Sequence, residues 1–125
     1  MAKLTVDQYA GLAAARLAHL TQSFAITFFT NAATMFAILS YGASAGLAAR
    51  CALATIVVAV TVYGLLAGKA AFDDLKAMLD DAVDDFAGSK FGAHLKQIRW
   101  PLFTGASAIL TAAMGVTQLW AIIVA

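Results

Sequence analysis

The side chains that could carry out chemistry in this chain are few, and most of the acidic ones cluster in one segment. Six of the seven aspartates lie between positions 73 and 85, and there is no glutamate. The segment lacks the histidine spacing of a zinc site and the glycine-bearing loop of a calcium site. Its default interpretation is a solvated face without a partner, and the alternative is a contact surface for a basic partner; we expect no metal ion there. The predicted contact residues are Asp80, Asp81, Asp84 and Asp85.

Two histidines, His19 and His94, are the remaining candidates for binding a cofactor such as haem or quinone. Both lie outside the long apolar stretches, whereas axial ligands in small membrane subunits generally lie within them. The single cysteine, Cys51, excludes an internal disulfide bond. We therefore expect no cofactor, no metal site and no catalytic residue, and we interpret the chain as a non-enzyme.

Hydroxyl, amide and small side chains recur at helical spacing within the apolar stretches. Such residues let two helices approach closely in lipid, and their hydrogen bonds are worth about 0.6 kcal/mol each. The contacts could form within the protomer or with another subunit, or the polar stripes could line a hydrated pore. We predict helix contacts at Thr27, Asn31, Thr34, Gly64, Gly68, Thr104, Ser107 and Thr111.

The elements that carry these residues are three apolar stretches, at 24–41, 46–68 and 100–124. Each is close to the length that a helix needs to cross a bilayer, about 20 residues. The chain as a whole is 62% hydrophobic, with a mean hydropathy of +0.84. The sequence thus predicts an all-α integral membrane protein with three transmembrane helices in a single domain.

The segments between these stretches also have helical patterns. Thr5 and Gln8 form a capping-box pattern, which predicts either an amphipathic helix over 6–22 or an extension of the first span. Small residues at 42–46 predict a tight turn between the first two spans. Residues 70–97 are expected to hold an amphipathic acidic helix, which Gly88 and Ser89 end, followed by an interfacial segment.

Basic residues set the expected orientation. Seven of the eight lysines and arginines fall on the side of the N-terminus and the 70–97 connection, and Arg50 falls on the other. The positive-inside rule then places the N-terminus in the cytoplasm and the C-terminus in the periplasm. Arg50, Arg99 and Trp100 are expected to contact lipid or a partner near the headgroups.

These patterns favour a non-catalytic accessory or assembly subunit of a larger bacterial inner-membrane complex, whether photosynthetic, respiratory or secretory. A homo-oligomeric, holin-like pore or small channel is the first alternative, and a haem- or quinone-binding anchor subunit is the second. The expected partners are membrane lipids, other membrane subunits and a basic cytoplasmic surface. A net charge of +1 gives no indication of nucleic-acid binding.

Overall fold

The computed structural model describes residues 4–124, and every regular element in that range is helical. Three long helices, α1 (Val6–Tyr41), α2 (Leu47–Asp85) and α4 (Trp100–Val124), are joined by a turn and by a short helix, α3 (Lys90–Leu95). Each long helix is long and apolar enough to cross a membrane. The predicted all-α class with three such helices is confirmed. Lys3, one of the basic residues used to predict the orientation, lies outside the described residues.

Helix α1 is continuous from its N-cap, Thr5, to the turn that follows Tyr41. The Thr5 side chain accepts a hydrogen bond from the Gln8 backbone N–H, and Gln8 Oε1 accepts one from the Thr5 N–H at 2.9 Å. This reciprocal pair satisfies N–H groups that a helix start otherwise leaves open. Residues 6–22 therefore belong to the same helix as the first apolar stretch.

The acidic segment forms the C-terminal part of helix α2 and is not a separate helix. It continues the second apolar stretch without a break as far as Asp85. Residues 69–85 contain neither proline nor glycine, and ion pairs join Lys69 to Asp73 and Lys76 to Asp80 across successive turns. These i,i+4 pairs offset the repulsion among neighbouring aspartates.

Small residues reverse the chain between α1 and α2 and lie between α2 and α3. A 3₁₀ turn at Gly42–Ser44 reverses the chain between α1 and α2. Gly88, with φ of +88°, takes the left-handed conformation that follows the end of α2. Ser89 then caps α3 by accepting a hydrogen bond from the Gly92 N–H at 3.0 Å. The predicted turn at 42–46 and the predicted break at Gly88 and Ser89 are both present.

Helix α2 lies between the other two long helices and packs against both. Ile38, Val57 and Ile122, one from each long helix, form a small buried cluster near one end of the bundle. Further along, Gly68 of α2 lies beside Ser107 of α4. Because these helices are antiparallel, α4 begins opposite residue 75 of α2, so the last ten residues of α2 extend roughly 15 Å beyond it.

Candidate interaction surfaces

The closest three-helix contact is centred on Gly64 of α2. A Cβ atom at this position would lie 3.0 Å from the Cγ2 of Thr27 and 3.1 Å from the Cγ2 of Thr111. A methyl group there would force both threonines to move. The structure thus brings together Thr27, Gly64 and Thr111, three of the residues for which we predicted helix contacts.

Two further contacts continue the α2–α4 interface on either side of Gly64. A Cβ at Gly68 would lie 3.8 Å from Ser107 Oγ, which is ordinary contact distance. At Gly115 it would lie 2.3 Å from Thr61 Oγ1, so Thr61 sits directly against the backbone of α4. Sequence reasoning did not select Thr61. The sequence feature that identifies Thr61 is its spacing: it lies three residues before Gly64 and seven before Gly68, on the same helical face.

The polar stripe of α1 faces the interior of the bundle. Thr27, Asn31 and Thr34 are buried, and their side chains donate to main-chain carbonyls of the preceding turn. Gln118 of α4 is also buried, and its Nε2 donates to the Asn31 carbonyl at 2.8 Å. Thr104 donates to the Trp100 carbonyl and is half-buried. The stripes on α1 and α4 therefore face each other within the protomer.

Two buried polar atoms in this region have no hydrogen-bond partner. They are Thr61 Oγ1 and Gln118 Oε1. In an apolar environment, an unsatisfied polar group costs roughly 1–3 kcal/mol. Gln118 is 5% exposed, so water does not readily compensate for the missing bond.

An open groove runs between α1 and α4 on the side away from α2, and we call it the α1/α4 groove. Two overlapping stretches of about 360 Å³ each make it up. Phe28, Leu110 and Met114 line both stretches, and Asn31 and Gln118 line the stretch farther from Trp100. Small side chains, Ala32 and Ala113, leave room along the walls. The groove combines apolar walls with polar groups that are largely buried.

The acidic residues lie where α1 and α2 extend past the start of α4. We call this region the acidic end, and it comprises residues 6–17, 76–85 and α3. Arg16 Nη1 contacts Asp74 Oδ2 at 2.5 Å at its border, and Lys76 pairs with Asp80. Asp81 and Asp84 are exposed and form no ion pair with another residue in the range 4–124.

Tyr9 joins the two long helices at this end. Its hydroxyl donates to Asp85 Oδ2 at 2.8 Å, and its ring packs edge-on against Phe86 with 5.7 Å between centroids. The hydrogen bond to the Asp85 carboxylate raises the pKa of the Tyr9 hydroxyl, and desolvation and the charges of Asp85 and Asp81 raise it further. Asp85, which is half-buried, therefore contacts another part of its own chain.

A second groove is formed at the acidic end by α1, α2 and α3, and we call it the acidic-end groove. Its volume is about 360 Å³, and its exposed lining is entirely apolar. The ring of Phe91 from α3 packs edge-on against Phe86, 5.7 Å between centroids, which closes one side. The lining residues are Tyr9, Ala10, Ala13, Met78, Leu79, Ala82, Phe86, Ser89 and Phe91.

The other predicted contact residues lie apart from these grooves. Arg50 Nε donates to the Ala45 carbonyl at 3.1 Å, so this arginine holds the first turn. Arg99 is exposed and Trp100 half-buried at the start of α4. His19, His94 and Cys51 are exposed. Within the described range, no three histidine, cysteine, aspartate or glutamate side chains are grouped so as to hold a metal ion.

No known protein family, curated protein or solved structure matches this chain.

Proposed function

We propose that this chain is a non-catalytic accessory or assembly subunit of a bacterial inner-membrane complex, photosynthetic, respiratory or secretory. The observation that carries the proposal is the α1/α4 groove together with Gln118. The groove is an open, mostly apolar face between two long helices, and it is lined by Gln118, whose Oε1 accepts no hydrogen bond from the described residues. A transmembrane helix of another subunit would fill the face.

Membrane insertion is supported by the outer surface of the bundle. Large apolar side chains on all three long helices are exposed, including Phe36 at 69%, Leu47 at 79% and Ile123 at 72%. A water-soluble protein seldom exposes so much contiguous apolar surface. In a bilayer, the same side chains would contact lipid at no cost. The charge asymmetry described above supports a cytoplasmic N-terminus and a periplasmic C-terminus.

A helix fits the α1/α4 groove because the groove is open along its length and has small residues on both walls. Ala32 and Ala113 permit close approach of a helix backbone, which is how transmembrane helices associate without a hydrophobic driving force. A second copy of this chain could supply that helix, which would favour the homo-oligomeric alternative.

The test is to fill the groove and follow assembly in the native membrane. Ala32→Trp and Ala113→Trp place a large side chain in the groove. Val58→Trp, on the exposed surface of α2, is the matched control because it lies outside both grooves. Each variant would be purified in mild detergent, and its co-migrating proteins would be identified by mass spectrometry.

We expect the two groove variants to lose membrane subunits that the wild type and Val58→Trp retain. If the groove variants lose only a second copy of this chain, the result supports the homo-oligomeric alternative and contradicts the accessory subunit. Identical co-purification by all four proteins would contradict the proposal.

A further inference from the structure

The acidic-end groove is a separate feature, formed beyond the start of α4. Helix α1 contributes Tyr9, Ala10 and Ala13 to it, α2 contributes one face of its last turns, and Phe91 closes the far side. Three elements thus enclose an apolar space of about 360 Å³ outside the layer where all three long helices run together.

The charge around this groove is unevenly distributed. Each residue of a helix is rotated by about 100° from the one before it. Asp85 and Asp81 therefore lie at the edge of the α2 face that lines the groove. Asp80 and Asp84 lie on the opposite face. The Asp81 charge contributes to raising the pKa of Tyr9, a lining residue. This agrees with the position of Asp81 at the edge of the lining face, which follows from the helix geometry.

The basic residues that the structure describes near the rim on α1 and α2 pair with aspartates other than Asp81. Lys76 pairs with Asp80, which is on the far face, and Arg16 pairs with Asp74, which precedes the acidic end. Asp81 has no ion-pair partner in the part of the chain that the structure describes. Lys90 lies on the other side of the groove, next to Phe91. The negative field is therefore concentrated along α2.

We propose that the acidic-end groove binds a basic amphipathic helix of a partner protein. The partner's apolar stripe would fill the space between Tyr9, Met78, Phe86 and Phe91, and its lysines or arginines would lie along α2, beside Asp81. Helix-in-groove recognition uses this combination of apolar anchors and flanking charge. The inference depends on the acidic-end groove alone and does not require the α1/α4 groove to be occupied.

Charge complementarity selects this occupant over two others. An anionic membrane surface would be repelled by the same aspartates that attract a cationic helix. A second copy would bring its own acidic end, and its one basic helix, α3, already buries Leu95 against its own protomer. A cationic partner with a free apolar stripe satisfies both the groove and its rim.

The binding test uses a synthetic peptide of leucine and lysine that is amphipathic when helical. The full chain would be reconstituted in phosphatidylcholine nanodiscs, and binding of the labelled peptide would be measured by fluorescence anisotropy, with empty nanodiscs as reference. A serine and lysine peptide of equal charge separates the contribution of the apolar stripe from that of charge alone.

Two pairs of variants locate the binding site. Ala10→Trp fills the groove from an exposed position, and Ala15→Trp is its control on the opposite face of α1. Asp81→Asn removes the rim charge, and Asp84→Asn removes an equal charge from the far face. All four positions are exposed, so the variants should fold like the wild type.

We expect Ala10→Trp to weaken binding at least tenfold and Ala15→Trp to leave it unchanged. Asp81→Asn should weaken binding roughly two- to five-fold at low salt, more than Asp84→Asn does. This difference should disappear near 1 M salt, where the screening length is about 3 Å.

A photoreactive group on the apolar side of the peptide should cross-link to lining residues, Met78 in particular. The proposal is wrong if Ala10→Trp binds like the wild type, if the serine and lysine peptide binds equally well, or if empty nanodiscs account for the signal. Equal effects of Asp81→Asn and Asp84→Asn would also contradict it, because the acidic surface would then act only through its net charge. None of these outcomes depends on which subunits the α1/α4 groove variants retain.

Discussion

Among the described glycines, Gly115 is the one at which an added Cβ would lie nearest to another residue, Thr61. Thr61 Oγ1 occupies the position where a side chain on residue 115 would begin, 2.3 Å from an added Cβ. This hydroxyl has no hydrogen-bond partner, so its place in the bundle is determined by packing. The two helices can approach this closely only because residue 115 is glycine.

Substitution of Gly115 should therefore be costly. We expect Gly115→Ala to lower the free energy of unfolding by about 1–3 kcal/mol, the range for overpacked sites. Gly105→Ala is the control, because nothing lies within 4 Å of its added Cβ and alanine favours helix. The free energy of unfolding of both variants would be measured in mixed detergent micelles, with circular dichroism as the signal. Thr61→Ala should rescue Gly115→Ala; a Gly115→Ala variant as stable as Gly105→Ala would contradict the close approach.

Tyr9 allows the acidic end to be tested in solution. Because the pKa of its hydroxyl is raised by Asp85, the Tyr9–Asp85 hydrogen bond contributes stability below the ordinary tyrosine pKa, about 10. That contribution is lost as the pH rises through the raised value. In a Tyr41→Phe, Tyr63→Phe background, phenolate absorbance would report Tyr9 alone.

We expect the titration midpoint of Tyr9 to lie above the ordinary value and to fall toward it in Asp85→Asn. Asp84→Asn, which removes a charge on the far face of α2, should shift it less. A midpoint that is the same in all three proteins would show that the Tyr9–Asp85 contact is not formed in solution.

At the scale of elements, local signals predicted the ends of helices well. The capping box at Thr5 and Gln8 and the break at Gly88 depend on residues three or fewer positions apart, and both are present. The continuity of α2 was less clear from the sequence. Charged residues begin at Lys69, whereas the helix propensity of the segment does not change there. Composition describes the environment of a segment, whereas glycine and proline more often determine where its helix ends.

Contacts between elements were harder to predict. Gln118 and Asn31 are 87 positions apart, and their hydrogen bond depends on how α4 packs beside α1. Periodicity identified the polar faces but could not show whether those faces meet each other or another subunit. The two grooves are likewise products of packing, since each is lined by residues from two or three helices.

The contact around Gly64 gives a prediction about helix packing. Thr27→Val keeps the shape of the side chain and removes one hydrogen bond to the Ser23 carbonyl, so its cost should stay near 1 kcal/mol or less. Thr27→Phe and Thr111→Phe should destabilise the bundle by about 1–3 kcal/mol or more, since each ring would collide with α2 at Gly64.

Thr55→Phe is the matched control, because Thr55 is exposed on the outer side of α2. Unfolding in mixed detergent micelles would compare all four variants. Should the Thr27→Phe and Thr111→Phe variants be as stable as Thr55→Phe, α1 and α4 would not pack on α2 at this level.

For the whole molecule, the arrangement of helices sets the topology. Helices α1 and α2 are antiparallel, and α2 and α4 are antiparallel, so the 42–46 turn and the 86–99 connection lie at opposite ends of the bundle. In a membrane, these two connections would face opposite compartments. Lys90, Lys96 and Arg99 lie in the second connection, whereas Arg50 lies close to the first.

Reporter fusions would test this topology. A fusion after Ala45 should be active only as a periplasmic reporter, and a fusion after Gly88 only as a cytoplasmic one, because positive charge is retained in the cytoplasm. Cys51 lies about one turn into α2 from the 42–46 turn and is exposed on the surface that we place in lipid. It should react slowly with membrane-impermeant thiol reagents in intact membranes and quickly once detergent is added. The reverse reporter pattern would invert the orientation, and rapid labelling of Cys51 without detergent would place the start of α2 in water.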